Sequence, residues 1–365
     1  MDGDVIIVGG GIVGCAAAYF LSRAGRRVLL VEAEEIAAGA SGRNAGLIEH
    51  PYDAVQEALY TETVALSHEV TGVLATREPV GVLLLANSEA EARAAHAHYN
   101  TFSALRPEIL DPAATQTAEP LLADDVWGCL LATGHPVTPR EATERWADAA
   151  RAEGARVVHR PARLLSEHGA ARGVEVDGEA HTADAVVVAA GVASPGVVDP
   201  SGDWRPIAPR WGVSVTIEGL PRPRRPLIEA AVAATAQQGK PGDEVSAFTL
   251  IATPSALAVG SVFLRDEPDG EAWRDRVLAQ GHRWVPALTD ATAAATLVCA
   301  RPATVDGRPL IGRIAGIRNL WIAAGHGGRG VSTGPASARM LADAVLAEDD
   351  TGIPPELRAE RFPVG

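Results

Sequence analysis

Asp4-Val-Ile-Ile-Val-Gly-Gly-Gly-Ile-Val-Gly14, read together with the residues up to Glu32, decides the fold of this 365-residue chain. Val5–Val8 is a continuous apolar run, as expected for a parallel strand buried on both faces. Gly9, Gly11 and Gly14 then form G-x-G-x-x-G at the entrance to a helical pattern that continues to Ala24, with Gly25 as its C-terminal cap. Residues 27–31 read as the next strand, closing on Glu32. Gly9 permits the tight turn, Gly11 lets a pyrophosphate approach the backbone, and Gly14 lets helix and strand pack closely. A pyrophosphate there would lie over N–H groups at the positive end of the helix. Glu32, followed by Ala33, would accept hydrogen bonds from an adenosine ribose. Glycine-rich turns also occur without ligands, but strand, helix, strand and acid in series favour dinucleotide binding. Cys15, in the opening turn of the helix, reads as a small core residue.

Outward from this unit, Thr138-Pro-Arg-Glu141 has the form of a capping box with proline at the first helical position. The helix it opens leads to strand candidates at residues 155–159, 164–166, 173–176 and 185–190. Strands near residues 308–314 and 320–324 precede a final helix over residues 332–347. Two stretches differ in texture. Residues 77–136 hold a strand at 80–86, a helix with Ser88 and Glu91 as a second capping box, and a Pro-punctuated loop. Residues 205–298 alternate apolar and polar, with turn signals at 221–226 and 238–242. The expected fold is α/β. A Rossmann-type dinucleotide-binding domain would use residues 1–76, 137–204 and 299–365. An inserted antiparallel-sheet α+β substrate domain would use residues 77–136 and 205–298.

Composition narrows the function. Hydrophobic residues at 47% and charged residues at 21% describe a globular chain, and no apolar stretch is long enough for a membrane span. The net charge of −14, without a basic stripe, argues against nucleic acid as a partner. Cys15, Cys129 and Cys299 are too scattered for a disulfide framework or a zinc site, so no metal is expected and a reducing cytoplasm is the simplest compartment. No basic segment precedes Val5, so no secretory signal is expected. Lys240 is the only lysine among 32 basic residues, which leaves one candidate for any role that needs a lysine.

Residues 37–46, Ala-Ala-Gly-Ala-Ser-Gly-Arg-Asn-Ala-Gly, form a second glycine-rich segment that a nicotinamide dehydrogenase would not need. This segment resembles that of the D-amino-acid oxidase, glycine oxidase and sarcosine oxidase family of flavoenzymes. The resemblance continues through Val186-Val-Val-Ala-Ala-Gly191 and Arg301-Pro-Ala-Thr-Val-Asp-Gly-Arg-Pro-Leu-Ile-Gly312, and ends with residues 319–335. It covers about half the chain, and the insertions match in layout more than in residues. It implies FAD as cofactor and makes the nucleotide unit a Rossmann-type FAD-binding domain of the glutathione-reductase kind. Gly9, Gly11, Ile12, Val13 and Gly14 would hold the pyrophosphate, and Ser41, Arg43, Asn44, Ala45, Gly46 and Leu47 would follow the ribityl chain and ring. Ala162 would meet adenine, Gly191 the adenosine. Gly325, Gly327, Gly328, Arg329, Gly330, Val331, Ser332 and Thr333 would edge the isoalloxazine, where N–H groups at a helix start favour the reduced, negatively charged flavin.

For the substrate, the resemblance gives Arg301 the role of carboxylate anchor, with a structural arginine capping strand ends as the alternative. A bidentate pair would fix the substrate plane. His326 is expected near the ring, as a hydrogen-bonding or charged group or as structural support. Arg329 is a second cation near the ring edge, whose role transfers poorly because glycine oxidases carry their arginine one position earlier. Glu49 and His50 follow the Asn-Ala-Gly loop and are placed on the substrate side or in solvent. His96 and His98 read as surface residues. The implied reaction oxidises the C–N bond of a small carboxylated amine of glycine, sarcosine or D-amino acid type, by hydride transfer to flavin N5 and hydrolysis of the imine. Oxygen or another acceptor would take the electrons, and a homo-oligomer is open. A 2-hydroxy-acid dehydrogenase and an FAD-binding subunit of a hetero-oligomeric dehydrogenase remain alternatives. Cys299 lies seven residues before Asp306, where monomeric sarcosine oxidases place a flavin-linked cysteine. Arg301-Pro302 instead follows the non-covalent pattern, so Cys299 is expected to be a quiet core thiol.

Overall fold

In the computed structural model, which describes residues 4–230 and 245–364, the apolar run Val5–Val8 (β1) sits inside a six-stranded sheet. The order across it is Leu310–Arg313, Leu320–Ala324, Ala185–Val188, β1, Val28–Glu32 (β2) and Arg156–His159, parallel except at the first strand. All four residues of β1 are buried, as a strand covered on both faces requires. The chain moves from β1 to β2 and Arg156–His159 on one side, then crosses to Ala185–Val188 on the other. This reversal makes the carboxyl end of β1 a topological switch point, where open α/β sheets bind their ligands. The helix Ile12–Arg23 (α1) packs against one face beside the helices Pro139–Ala152 and Gly330–Ala347. Small residues Ala16, Ala17 and Ala18 lie fully buried along it.

The second large sheet has eight strands and is antiparallel apart from the parallel pair Val82–Ala86 and Leu227–Glu229. Two long strands, Ile207–Glu218 and Thr292–Thr304, pair along their whole length at its edge. A core of its own, including Leu83, Val215, Phe248, Leu250 and Trp284, sits under this sheet and the helix Gly270–Gly281. The expected boundary between residues 298 and 299 falls inside the strand Thr292–Thr304, whose backbone ladder continues past the point where the sequence resemblance resumes. The structure also corrects one cap. Thr138 makes no side-chain cap hydrogen bond, and its hydroxyl instead lies 3.3 Å from Ser255 Oγ. Ser88 does cap, accepting from Glu91 N at 3.3 Å. Lys240 and the 238–242 turn lie outside the described residues. Among the described residues no helix is long and apolar enough to cross a membrane, and no group of three His, Cys, Asp or Glu residues is placed to hold a metal.

Candidate active site

Between the two sheets lies a cavity of about 1520 Å³, larger than the ordinary small-ligand pocket and roomy enough for a dinucleotide with a substrate. Its first end is the glycine turn. Gly9 has φ +116° and fits against Ala189, while a Cβ at position 14 would overlap the Gly9 carbonyl, so α1 can approach β1 this closely only with glycine there. Gly11 is the N-cap of α1, and Ile12 N donates to Ser41 Oγ at 3.0 Å. The second glycine-rich segment is thereby laid directly over the first. One Glu32 carboxylate oxygen accepts from Gly10 N at 2.5 Å and the other from Glu34 N at 2.9 Å, which fixes the carboxylate at the end of β2. Gly9, Gly11, Ile12, Val13, Glu32, Ala33, Ala162 and Gly191 all line this end. Gly14 does not, and serves the packing of the turn.

The middle is walled by Ser41, Arg43, Asn44, Ala45, Gly46 and Leu47. Asn44 holds this loop in shape. Its Nδ2 donates to Ser41 O at 2.9 Å, and its Oδ1 accepts from Gly46 N at 2.8 Å. Opposite it, Gly325, Gly327, Gly328, Arg329, Gly330 and Val331 line the cavity as a turn running into the helix Gly330–Ala347. Ser332 and Thr333 are buried behind that wall. Ser332 Oγ accepts from Glu49 N, and Thr333 Oγ1 donates to Arg329 O, so both tie the turn together rather than face the cavity.

The far end carries Arg301. Its Nη1 donates to Val262 O at 2.8 Å and its guanidinium stacks on Phe263, 4.4 Å from the ring centroid. Gly212, on the neighbouring strand, makes room for it, since a Cβ there would overlap the guanidinium. Burial lowers the Arg301 pKa. His326 is 4% exposed and bridged to Ala303 on the Arg301 strand, and burial brings its pKa down to about 4. The ring is therefore neutral near pH 7, which leaves the hydrogen-bonding and structural alternatives for it. Its Nε2 is buried without a hydrogen-bond partner among the described residues.

Arg329 is not a spare cation. It forms an ion pair with Glu49, Tyr52 Oη donates to the same carboxylate at 3.3 Å, and the Arg329 guanidinium stacks 5.1 Å from the Tyr52 ring centroid. His50 does not line the cavity. It is fully buried against Tyr52, Tyr60 and Phe102, with Nε2 3.3 Å from Glu57 Oε1, and burial lowers its pKa. Of the two neighbours Glu49 and His50, only Glu49 lines the cavity. Cys299 is a buried free thiol, at 6% exposure, and it also borders the cavity. Burial pushes its thiol pKa up, against the nearby charges of Arg301 and Arg43. Phe263, Tyr52, Arg210 and Arg265 also line the cavity and were not singled out in the sequence.

Residues 4–344 match the family model for FAD-dependent oxidoreductases. The chain belongs to that family. As a member of this flavoenzyme family it is an oxidoreductase whose cofactor is FAD. It is 26% identical over 411 residues to a D-amino acid dehydrogenase of Cereibacter sphaeroides, covering 93% of this chain and 91% of that one. It is 25% identical over 360 residues to a glycine oxidase of Bacillus licheniformis, covering 94% and 93%. The fold matches the crystal structure of glycine oxidase from Geobacillus kaustophilus with a TM-score of 0.83 at 22% identity, over 100% of both chains. FAD fits the flavoenzyme's cavity on its own terms. The Cβ-free turn, the carboxylate at the end of β2 and the partnerless buried Nε2 of His326 lie along one continuous wall.

Proposed function

We propose that this flavoenzyme oxidises the C–N bond of a small carboxylated amine of the glycine, sarcosine or D-amino acid type. Arg301 carries the reading. A guanidinium held by Val262 O and by the face of Phe263 presents its fork in one orientation, which is what bidentate capture of a carboxylate requires. Gly212 makes room for the guanidinium itself, and Gly328 lies beside its Cδ without a side chain. The names of the D-amino acid dehydrogenase and glycine oxidase relatives support an amine over a 2-hydroxy acid. With FAD bound, the chemistry supplied is two-electron acceptance from the Cα–H bond, leaving an imine that water hydrolyses. Arg301 orients the substrate for that step, and neutral His326 offers a hydrogen bond at the ring end of the cavity without a charge. The amine reacts in its neutral form, so no strong protein base is required. Glu49 neutralises Arg329, so the carboxylate falls to Arg301 rather than to Arg329. FAD is held without a covalent link on this reading, since a thiol with a raised pKa is a poor nucleophile.

Anaerobic titration of the yellow holoprotein tests the proposal. Glycine, sarcosine or a small D-amino acid should bleach the flavin, and glycolate and lactate should not. Bleaching by the hydroxy acids alone would sink the amine, and bleaching by neither would sink both. After denaturation in acid and filtration the colour should leave the protein, and colour that stays would mean a covalent link.

A further inference from the structure

Resting on the reading of the substrate as a carboxylated amine held through Arg301, we infer that Glu49 receives the substrate's nitrogen, its carboxylate accepting an amine N–H. Six carboxylates line the cavity among the described residues. Glu32 and Glu34 stand at the β2 end, where the Glu32 oxygens accept from Gly10 N and Glu34 N. Asp53 caps the helix Ala54–Glu69 and pairs with Arg308 at 3.2 Å, and Asp306 pairs with Arg361 at 3.0 Å. Glu267 is exposed. The sixth, Glu49, is paired with Arg329 on the glycine turn, its side chain 16% exposed. Arg301 packs beside the preceding residue of that turn, since a Cβ at Gly328 would lie 3.7 Å from Arg301 Cδ. One residue step therefore separates the contact made by Arg301 from the contact made by Glu49. An α-amino acid carries its nitrogen and its carboxylate on one carbon, so its two receivers must be near neighbours of opposite charge.

Glu49 is fixed from three directions. Its N–H donates to Ser332 Oγ at 3.0 Å, one carboxylate oxygen pairs with Arg329, and Tyr52 Oη donates to the other at 3.3 Å. Tyr52 itself has φ +56°, a left-handed conformation that is costly for an aromatic residue. It is kept there because Tyr52 N donates to His50 Nδ1 at 3.0 Å, while the other ring nitrogen lies 3.3 Å from Glu57 Oε1. Strain of this kind persists where the surrounding structure imposes it, and here it sets a phenol on a carboxylate of the cavity wall. A carboxylate has about four lone-pair positions, of which Arg329 and Tyr52 occupy two. The remainder can accept from a nitrogen in the cavity that Glu49 lines, and a hydrogen bond to a charged acceptor is among the stronger kinds. An ionised carboxylate only accepts, so the nitrogen must keep an N–H in the neutral form that reacts. The substrate class is therefore a primary or secondary amine and not a tertiary one.

Binding of two acids that cannot be oxidised tests this without turnover. 2-Aminoisobutyrate and pivalate share a shape and a carboxylate, lack a Cα–H bond, and differ in an amine against a methyl group. Titrated calorimetrically into the holoprotein, 2-aminoisobutyrate should bind about tenfold or more tightly than pivalate. Glu49→Gln should bring that ratio close to one. Because this change also releases Arg329, the double variant Glu49→Gln, Arg329→Gln, as neutral as the native pair, should give the same result, and it decides if the single variant does not fold. Equal affinities in the unsubstituted protein, or a preference for the amine that survives in the variants, would overturn the inference. So would bleaching by N,N-dimethylglycine as fast as by glycine or sarcosine. A holoprotein bleached by amines but without the preference for 2-aminoisobutyrate loses this inference and keeps the proposed reaction. One that shows the preference yet is bleached by no amine keeps Glu49 as the receiver and loses the reaction.

Discussion

At the Gly9–Gly14 end of the cavity the wall is mainly backbone, whereas at the Arg301 end it is side chains held by other side chains. The first end works by what is missing. A Cβ at position 14 would overlap the Gly9 carbonyl, and the N–H of Ile12 is met by a hydroxyl from the next segment. The second end works by what is stacked: Arg301 is fixed by a carbonyl from one strand, a ring beside it and a glycine on another strand. Backbone recognition depends on the chain's path alone, so it tolerates little change at few positions. Side-chain recognition is spread over several strands, so it can be altered stepwise and can set the substrate without disturbing the cofactor. His326 lies where the two ends meet, on a turn that edges the cavity and is bridged to the Arg301 strand.

The largest effect should follow from breaking the backbone end. Gly14→Ala forces α1 away from β1 and should cost about 2 to 3 kcal/mol of stability, with loss of bound flavin and with it all activity. The ratio of flavin to protein absorbance measures this, and normal flavin content would show that the close approach is dispensable. Next comes the side-chain end. Arg301→Ala should keep its flavin and lower kcat/KM about a hundredfold on a carboxylated amine, mostly through KM. Near-native kcat/KM would place the anchor elsewhere.

The smallest effect sharpens the junction. Burial holds the His326 pKa at about 4 against its ordinary 6.5, so between those pH values the unfolded chain binds a proton that the folded chain does not. Stability contributed by the neutral ring is present above pH 6.5 and is lost as pH falls toward 4, by about 2 kcal/mol at pH 5. Thermal unfolding of the flavin-free chain at pH 7 and pH 5 measures that loss. His326→Gln should reduce the difference by about 2 kcal/mol, leaving what buried His50 and His135 contribute, and an unchanged pH slope would assign the loss to those groups.

Much of the first end was legible in the sequence because its geometry is local. Strand, three glycines, helix and acid follow one another within a single unit, and each residue's task follows from its neighbours. Arg301 was legible through the Arg-Pro pair and its resemblance, although its partners were not. Phe263, Arg210 and Arg265 lie in an insertion that matched in layout only. Glu49 and His50 were both placed on the substrate side or in solvent, and the fold sends the first to the cavity and the second into the aromatic cluster of Tyr52, Tyr60 and Phe102.

By itself, then, the sequence determined a nucleotide-binding α/β unit in separated pieces, with its glycine turn and the acid at the end of β2, because sterics and hydrogen bonding between near neighbours settle those. Tertiary structure alone decided which side chains meet at the substrate end. Which residue of an extended strand faces the cavity, and which arginine stands opposite which, depends on the register of strands far apart in sequence, and a shift of one residue would turn every side chain to the other face. Burial made the same kind of decision for charge. His326 is neutral and Arg329 is neutralised because of what folds around them, and no spacing in the chain records that.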